Sequence, residues 1–328
     1  MQKENAPKAA AASNGMARLA AFGRAFESSG KSGEVDRPFS GVIFVFAAMA
    51  FLAALITMGR YAALEGINPS QVVFFRNFFC VIWMLPLFAW RGMSLVRTQS
   101  LHLYGLRVGL SFIAMTAMFH AVGMIPVGEV TAISFLSPLF GTAFAIAMLG
   151  ERVGIRRWMA IVIGFVGAMI ILRPTSGDFS AGQMAALVSA CAVGVIGPLV
   201  KRLTREDDAD RVVFLTNLLL TPLSFVPAVY VWTWPSFEMW GLFLVMGLIA
   251  VLGHMSLVRA YAAMDASLVM TFKFVRLPFA VLFGFLVFRE AIDGLTWVGG
   301  FIIFAASAYV THREAKFKSA KPPIQPPM

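Results

Sequence analysis

The residues of this sequence that could do chemistry are few, and they sit where charge is costly. Four basic side chains, Arg76, Arg107, Lys273 and Arg276, interrupt apolar runs of about twenty residues. At bilayer depth an ionisable group is a functional candidate by default. Depth orders the four. At about 1.5 Å of rise per residue, Arg107 and Arg76 lie roughly 10 Å from the nearer ends of their helices, and Arg276 lies about 15 Å in, close to the midplane. Arg107 and Arg76 can snorkel to the headgroups, so anchoring and solute contact stand equally open for them. Arg276 is the hardest to explain as an anchor. Lys273 lies three residues before it, so the two side chains share a helix face that is expected to line a polar cavity. The structural alternative is a pair that binds backbone carbonyls or Glu129.

His120, His254 and Tyr261 are softer candidates, since a single histidine in a helical bundle also fits a plain packing role. Ser134 and Ser137 bring hydroxyls to the approach to Pro138. Pro138 and Pro278 each fall about mid-span, where a proline removes one helical hydrogen bond and frees the carbonyls of Ser134 and Phe274. A freed carbonyl at the midplane is tolerated where protein or a wet cavity meets it. Paired interruptions in corresponding segments point to the binding site of an inverted-repeat carrier. Glu129 is the single acid set against these four cations, and the first span has none. A deep carboxylate to hold a cation and then a proton is missing, so an anionic, zwitterionic or neutral polar solute suits the chain better than a cationic drug.

Enzyme signatures are missing from the sequence: no phosphate-binding glycine loop, no paired Cys or His at metal spacing, no GxSxG elbow. His102, His120, His254 and His312 are scattered, and Cys80 and Cys191 each lie in an apolar run as packing residues. No catalytic residue, no metal and no cofactor are expected, and the chain reads as a non-enzyme. The expected partners are a small organic solute and membrane lipid, with a homodimer left open.

The elements that position these residues are membrane helices. Of 328 residues, 59% are hydrophobic and 13% charged, against about a quarter charged in soluble domains. Ten spans are predicted, at about 41–63, 69–90, 101–123, 127–149, 155–173, 181–201, 211–232, 239–262, 266–288 and 294–312. Short connections make neighbours antiparallel. With both termini in the cytoplasm of a bacterial-type inner membrane, the inside segments hold Arg91, Arg97, Arg152, Arg156, Arg157, Lys201, Arg202, Arg205, Arg211 and Arg259. The outside connections hold Arg60, Arg173 and Arg289. The net charge of +10 is therefore a topology signal, and nucleic acid is excluded as a partner. Residues 1–38 and 314–328 are polar and read as disordered cytoplasmic tails. Residues 1–38 carry no cleavable signal, and Met16–Phe22 forms a weakly amphipathic stretch.

The chain also repeats itself. Val72-Val73-Phe74-Phe75-Arg76-Asn77 recurs as Val212-Val213-Phe214-Leu215-Thr216-Asn217, an offset of 140, which also brings Thr131 onto Thr271 and Pro138-Leu139-Phe140 onto Pro278-Phe279-Ala280. One residue is then lost in the second copy, and at an offset of 139 Glu151 meets Glu290 and Trp158 meets Trp297. Residues 41–173 and 181–312 thus form two five-helix units, and an odd number of spans turns the second upside down. Two inverted halves can exchange conformations, the physical basis of alternating access.

With this duplication, with Ser137-Pro138-Leu139-Phe140 leading to Leu149-Gly150-Glu151, and with a fifth span ending Leu172-Arg173-Pro174, the chain resembles the drug/metabolite transporter superfamily in its EamA-type branch of ten-helix carriers. The second copy keeps Pro278 and Glu290 but has Phe288-Arg289 in place of Leu149-Gly150. The resemblance spans about 41–312. It implies an all-α membrane fold with a central cavity lined by the first, third, fourth, sixth, eighth and ninth spans. Arg107, His120, Ser134, His254, Lys273 and Arg276 fall on those spans, whereas Arg76 does not. It further implies a secondary carrier of small metabolites. An imported neutral or zwitterionic solute such as riboflavin fits the phenylalanine-rich spans, with export of amino acids or related metabolites as the alternative and a passive channel as the rival class.

Overall fold

The long apolar runs become helices, and their limits follow local chemistry. The computed structural model describes residues 38–125, 127–134, 136–150, 154–172, 180–289 and 298, 299, 301, 302, 305 and 309. In chain order the helices are α1 (Pro38–Leu64), α2 (Pro69–Arg91), α3 (Leu101–Met124), α4 (Val127–Ser134), α5 (Ser137–Leu149), α6 (Ile155–Leu172), α7 (Ala181–Leu203), α8 (Ala209–Tyr230), α9 (Phe237–Ala263), α10 (Ala266–Phe272) and α11 (Arg276–Phe288). Two 3₁₀ turns, Gly92–Leu95 and Lys273–Val275, complete the set, and no strand occurs among the described residues. Asn68 caps α2 by accepting from the Ser70 amide at 3.0 Å, with Pro69 pre-set for the first turn. At the end of α5, Gly150 adopts φ +66°, a left-handed cap that a side chain would strain.

Seven stretches among the described residues are long and apolar enough to cross a bilayer. The fourth predicted span is divided into α4 and α5, while the ninth, one of the seven, passes from α10 to α11 through the 3₁₀ turn Lys273–Val275. Pro138 lies in the first turn of α5, where a missing N–H costs nothing. Pro278 is the third residue of α11, just after the 3₁₀ turn. Each proline thus stands at the start of the second segment of its span. The predicted tenth span and both predicted tails lie largely or wholly outside the described residues.

The two halves of the chain pack on each other. Helix α1 packs along α9, and α3 packs along α7. These are the same contact under the 140-residue offset, which relates α1 to α7 and α3 to α9. The pairs α5 with α7 and α11 with α1 repeat the pattern. The equivalent helices α2 and α8 run in opposite directions. At one end the Gln71 side chain at the start of α2 exchanges hydrogen bonds with Thr233, just past α8, at 2.8 and 2.9 Å. At the other, Arg91 at the end of α2 pairs with Asp210 in the first turn of α8 at 3.0 Å. The second copy is therefore inverted.

Lipid competes poorly with close packing, so small residues and aromatic stacks hold such bundles together. Phe75 packs on Phe243 with ring centroids 4.8 Å apart and on Trp232 and Trp240 at 5.3 and 5.2 Å. Trp232 and Trp240 are thus part of an aromatic cluster near the Gln71 end. Helix α7 begins with a reciprocal cap: Ser180 accepts from the Gln183 amide at 3.2 Å, and the Gln183 side chain accepts from the Ser180 amide at 2.8 Å. Ser180→Ala is expected to cost about 1 kcal/mol, read as a lowered melting temperature of the purified protein in detergent.

Candidate functional site

The interrupted helices meet at the middle of the bundle. Ser134 ends α4, Ser137 opens α5, Lys273 starts the 3₁₀ turn and Arg276 opens α11. All four line one cavity of about 200 Å³. A side chain at such a junction escapes the close i, i+4 stacking of a continuous helix, which leaves room for it to reach inward. Arg276 Nη2 donates to Ser134 Oγ, tying the second interrupted span to the first. Ser134 Oγ in turn donates to the Thr131 carbonyl. Arg107, 4% exposed, reaches the cavity from α3, and its Nη1 donates to the Val212 carbonyl at 3.2 Å.

Arg76 also lines the cavity, from α2, and is 2% exposed. This corrects the expectation that the second span stays away from the site. Thr216 and Asn217 of α8 line it as well. The reason is the packing of the equivalent pair α2 and α8, which brings Arg76-Asn77 against Thr216-Asn217. Arg76 Nη1 donates to Asn77 Oδ1 at 2.5 Å and to Asn217 Oδ1 at 3.5 Å. Its Nη2 lies 3.1 Å from both ring nitrogens of His254. Nδ1 of that ring already lies 3.0 Å from the Ala250 carbonyl, which accepts only a proton-bearing nitrogen. The guanidinium thus lies against the imidazole, equally near both ring nitrogens, while Nδ1 faces the carbonyl.

The structure brings Arg76, Arg107, Ser134, Ser137, His254, Tyr261, Lys273 and Arg276 to one cavity. It does not bring His120 there: that side chain bonds back to the Thr116 carbonyl of its own helix at 2.8 Å. The side chain of Glu129 lies outside the described residues. Sequence reasoning passed over Asn77, Asn217 and Ser189. The asparagines carried a signal, since both repeat at the 140-residue offset, but it was read as scaffold. Ser189 donates to the Ala114 carbonyl at 2.8 Å, and nothing in its spacing marks it.

No aspartate or glutamate is among the residues described as lining the cavity. The acids lie at one end of the bundle instead. Arg91 pairs with Asp208 at 2.7 Å and with Asp210 at 3.0 Å, and Arg259 reaches Asp210 at 3.4 Å. Asp207 takes Arg211, Tyr104 at 2.9 Å and Thr98 at 2.7 Å, and Glu206 accepts from Ser100. Part of the basic excess read from the sequence as a topology signal is thus tied up in contacts that join α2, α3, α8 and α9. A largely apolar cavity with a few convergent polar and basic side chains is suited to holding a small solute.

Comparison with known proteins agrees with this geometry. The chain matches the EamA-like transporter family over residues 39–173 and again over 180–311. It is 31% identical over 283 residues to a riboflavin transporter of Vibrio cholerae, covering 85% of this chain and 95% of the relative. It is 26% identical over 277 residues to an S-adenosylmethionine uptake transporter of Rickettsia prowazekii, covering 83% and 94%. It is 25% identical over 276 residues to a pseudopaline exporter of Pseudomonas aeruginosa, covering 81% and 94%. A solved crystal structure superposes with a TM-score of 0.67 at 17% identity, over 83% of this chain and 98% of that one, a likeness of fold. The inverted halves, the interrupted helices at their centre and the family match over both repeats agree: the chain is a multi-pass membrane transporter and belongs to the EamA-like transporter family.

Proposed function

We propose that the protein is a secondary active carrier of a small organic solute, working by alternating access in the bacterial inner membrane with both termini in the cytoplasm. The observation that carries this reading is the meeting of the two interrupted helices, at corresponding places in inverted repeats, on a cavity with buried cations. In carriers built from inverted repeats such helices form the solute site. Arg276, Lys273, Arg107, Ser134 and His254 hold the solute. The junctions at Pro138 and Pro278 let the repeats, 41–173 and 181–312, rock about it. The four-residue network of Arg91, Asp208, Asp210 and Arg259 closes the cytoplasmic end and opens when the halves exchange.

The substrate class that fits is a neutral or zwitterionic metabolite with an aromatic or apolar body, taken up into the cell. Riboflavin is the first probe, since relatives named as riboflavin transporters cover most of this chain. Export of amino acids or related metabolites is the second reading, favoured by the relative named as an exporter. Purified protein in vesicles preloaded with unlabelled riboflavin is expected to concentrate labelled riboflavin transiently by counterflow. Saturable uptake with no counterflow of riboflavin or of amino acids would identify a passive channel and end the carrier reading.

A further inference from the structure

We infer that the cavity holds its solute through a negatively charged group, a carboxylate or a phosphate, seated among Arg107, Lys273 and Arg276. This deepens the reading above and rests on the cavity being the solute site. Four basic side chains line it, and the described lining contains no carboxylate. Arg76 is occupied by Asn77, Asn217 and His254. The other cations are left short. Arg107 gives Nη1 to the Val212 carbonyl, while its Nε is buried with no partner among the described residues. Arg276 gives Nη2 to Ser134, and its Nε is likewise buried with no partner. Lys273 adds a third cation one turn before Arg276 on the same side of the cavity.

Charge held away from water is strongly unfavourable unless it is paired. The available aspartates are committed elsewhere, to Arg91, Arg211 and Arg259 at the end of the bundle. Among the described residues no carboxylate lines the cavity beside Arg107, Lys273 and Arg276, and an anionic group on the ligand supplies the counter-charge. Both guanidinium groups keep N–H donors beyond the single bond each makes among the described residues, and planar guanidinium donors are matched to the oxygens of a carboxylate or phosphate. The remainder of the wall is apolar, with Met115, Met118, Phe119 and Leu52 facing the same space. Such a wall suits an apolar, flat body attached to the anionic group. Of the solutes proposed above, the inference favours zwitterions that carry a carboxylate, and it expects riboflavin to bind less tightly than its phosphate.

The test compares matched probes on the purified full-length protein in detergent. Riboflavin is set against riboflavin 5′-phosphate, phenylalanine against its amide, and inorganic phosphate serves as the bare anion. Binding is read by flavin fluorescence quenching and by the shift in melting temperature. The expected result is that in at least one pair the anionic member binds at least tenfold more tightly than its uncharged-end counterpart and more tightly than inorganic phosphate. Lys273→Gln with Arg276→Gln is expected to remove that preference. A ratio below tenfold in both pairs, inorganic phosphate binding as tightly as the better anionic probe, or an unchanged preference in a folded double variant would each overturn the inference. The pair ratio in the unaltered protein needs no variant, so a misfolded variant does not rescue the idea. Tight anionic binding without counterflow would sink the carrier reading alone, and riboflavin counterflow with no tenfold preference in either pair would sink this inference alone.

Discussion

Replacing Gly247 with alanine is expected to destabilise the protein by about 1–3 kcal/mol, seen as a clear drop in the detergent melting temperature. A Cβ at Gly247 of α9 would lie 2.4 Å from Phe79 Cβ, 2.7 Å from the Phe79 carbonyl carbon and 2.9 Å from the Cys80 amide nitrogen of α2. None of these atoms is the free end of a flexible side chain. The two helices would have to separate, and with them would go the bond from Trp83 Nε1 to the Leu244 carbonyl, 2.8 Å long and one turn away. Close backbone approach at a small residue is what holds helices together in a membrane, where lipid is as apolar as the interface. The same exchange at Gly241, six residues earlier on α9, should have the opposite sign. Nothing lies within 4 Å of the added methyl there, and alanine in a helix interior gains up to about 1 kcal/mol over glycine. Equal melting temperatures for the two variants would show that α2 and α9 do not approach as described.

Exchanging His254 for leucine is expected to cost about 1.5–3 kcal/mol, the range for a hydrogen bond to a charged group, and to abolish counterflow. The imidazole lies against Arg76 Nη2, 3.1 Å from both ring nitrogens. Leucine would leave that part of a buried guanidinium facing only apolar atoms. Glutamine can present a carbonyl oxygen from a similar position, so His254→Gln is expected to retain most of the stability and of the transport. A merely space-filling histidine would rank the variants the other way, with leucine better tolerated than glutamine. A double-mutant cycle with Arg76→Met should return a coupling between about 0.5 and 3 kcal/mol; a value near zero would remove the pairing from the account.

Much of the fold was legible because membrane helices follow from length and composition alone. The apolar runs gave the positions of α1, α2, α3, α7, α8 and α9 to within a few residues. The recurrence of Val72-Val73-Phe74 as Val212-Val213-Phe214 gave the inverted halves. Pro138 and Pro278 marked the interruptions of the fourth and ninth spans, but not their form, a division between α4 and α5 in one and a 3₁₀ turn in the other. A proline is as compatible with the first turn of a helix as with a bend in one, and the choice depends on what packs against the segment.

The composition of the site was half legible. Lys273, Arg276, Arg107 and Ser134 stood out because charge and hydroxyl groups are rare at that depth, and the cavity includes them all. His120 stood out equally and bonds to its own helix instead. Arg76 stands on a span that the family resemblance keeps away from the cavity, and only the packing of α2 on α8 brings it there. Soluble helices announce their inner face by alternating polar and apolar residues, but a helix apolar on every side gives no such notice.

The sequence by itself determined that this chain crosses a membrane many times, that its second half is its first half inverted, and which few residues could bear charge inside. Only the tertiary structure decided which of those residues meet. Each face of a span is assigned by a helix from the other half of the chain, through contacts such as Arg76 with Asn217 and Arg276 with Ser134 that lie more than a hundred residues apart. Where lipid and protein interior are equally apolar, hydrophobicity sets how deep a side chain lies, and packing alone sets which way it points.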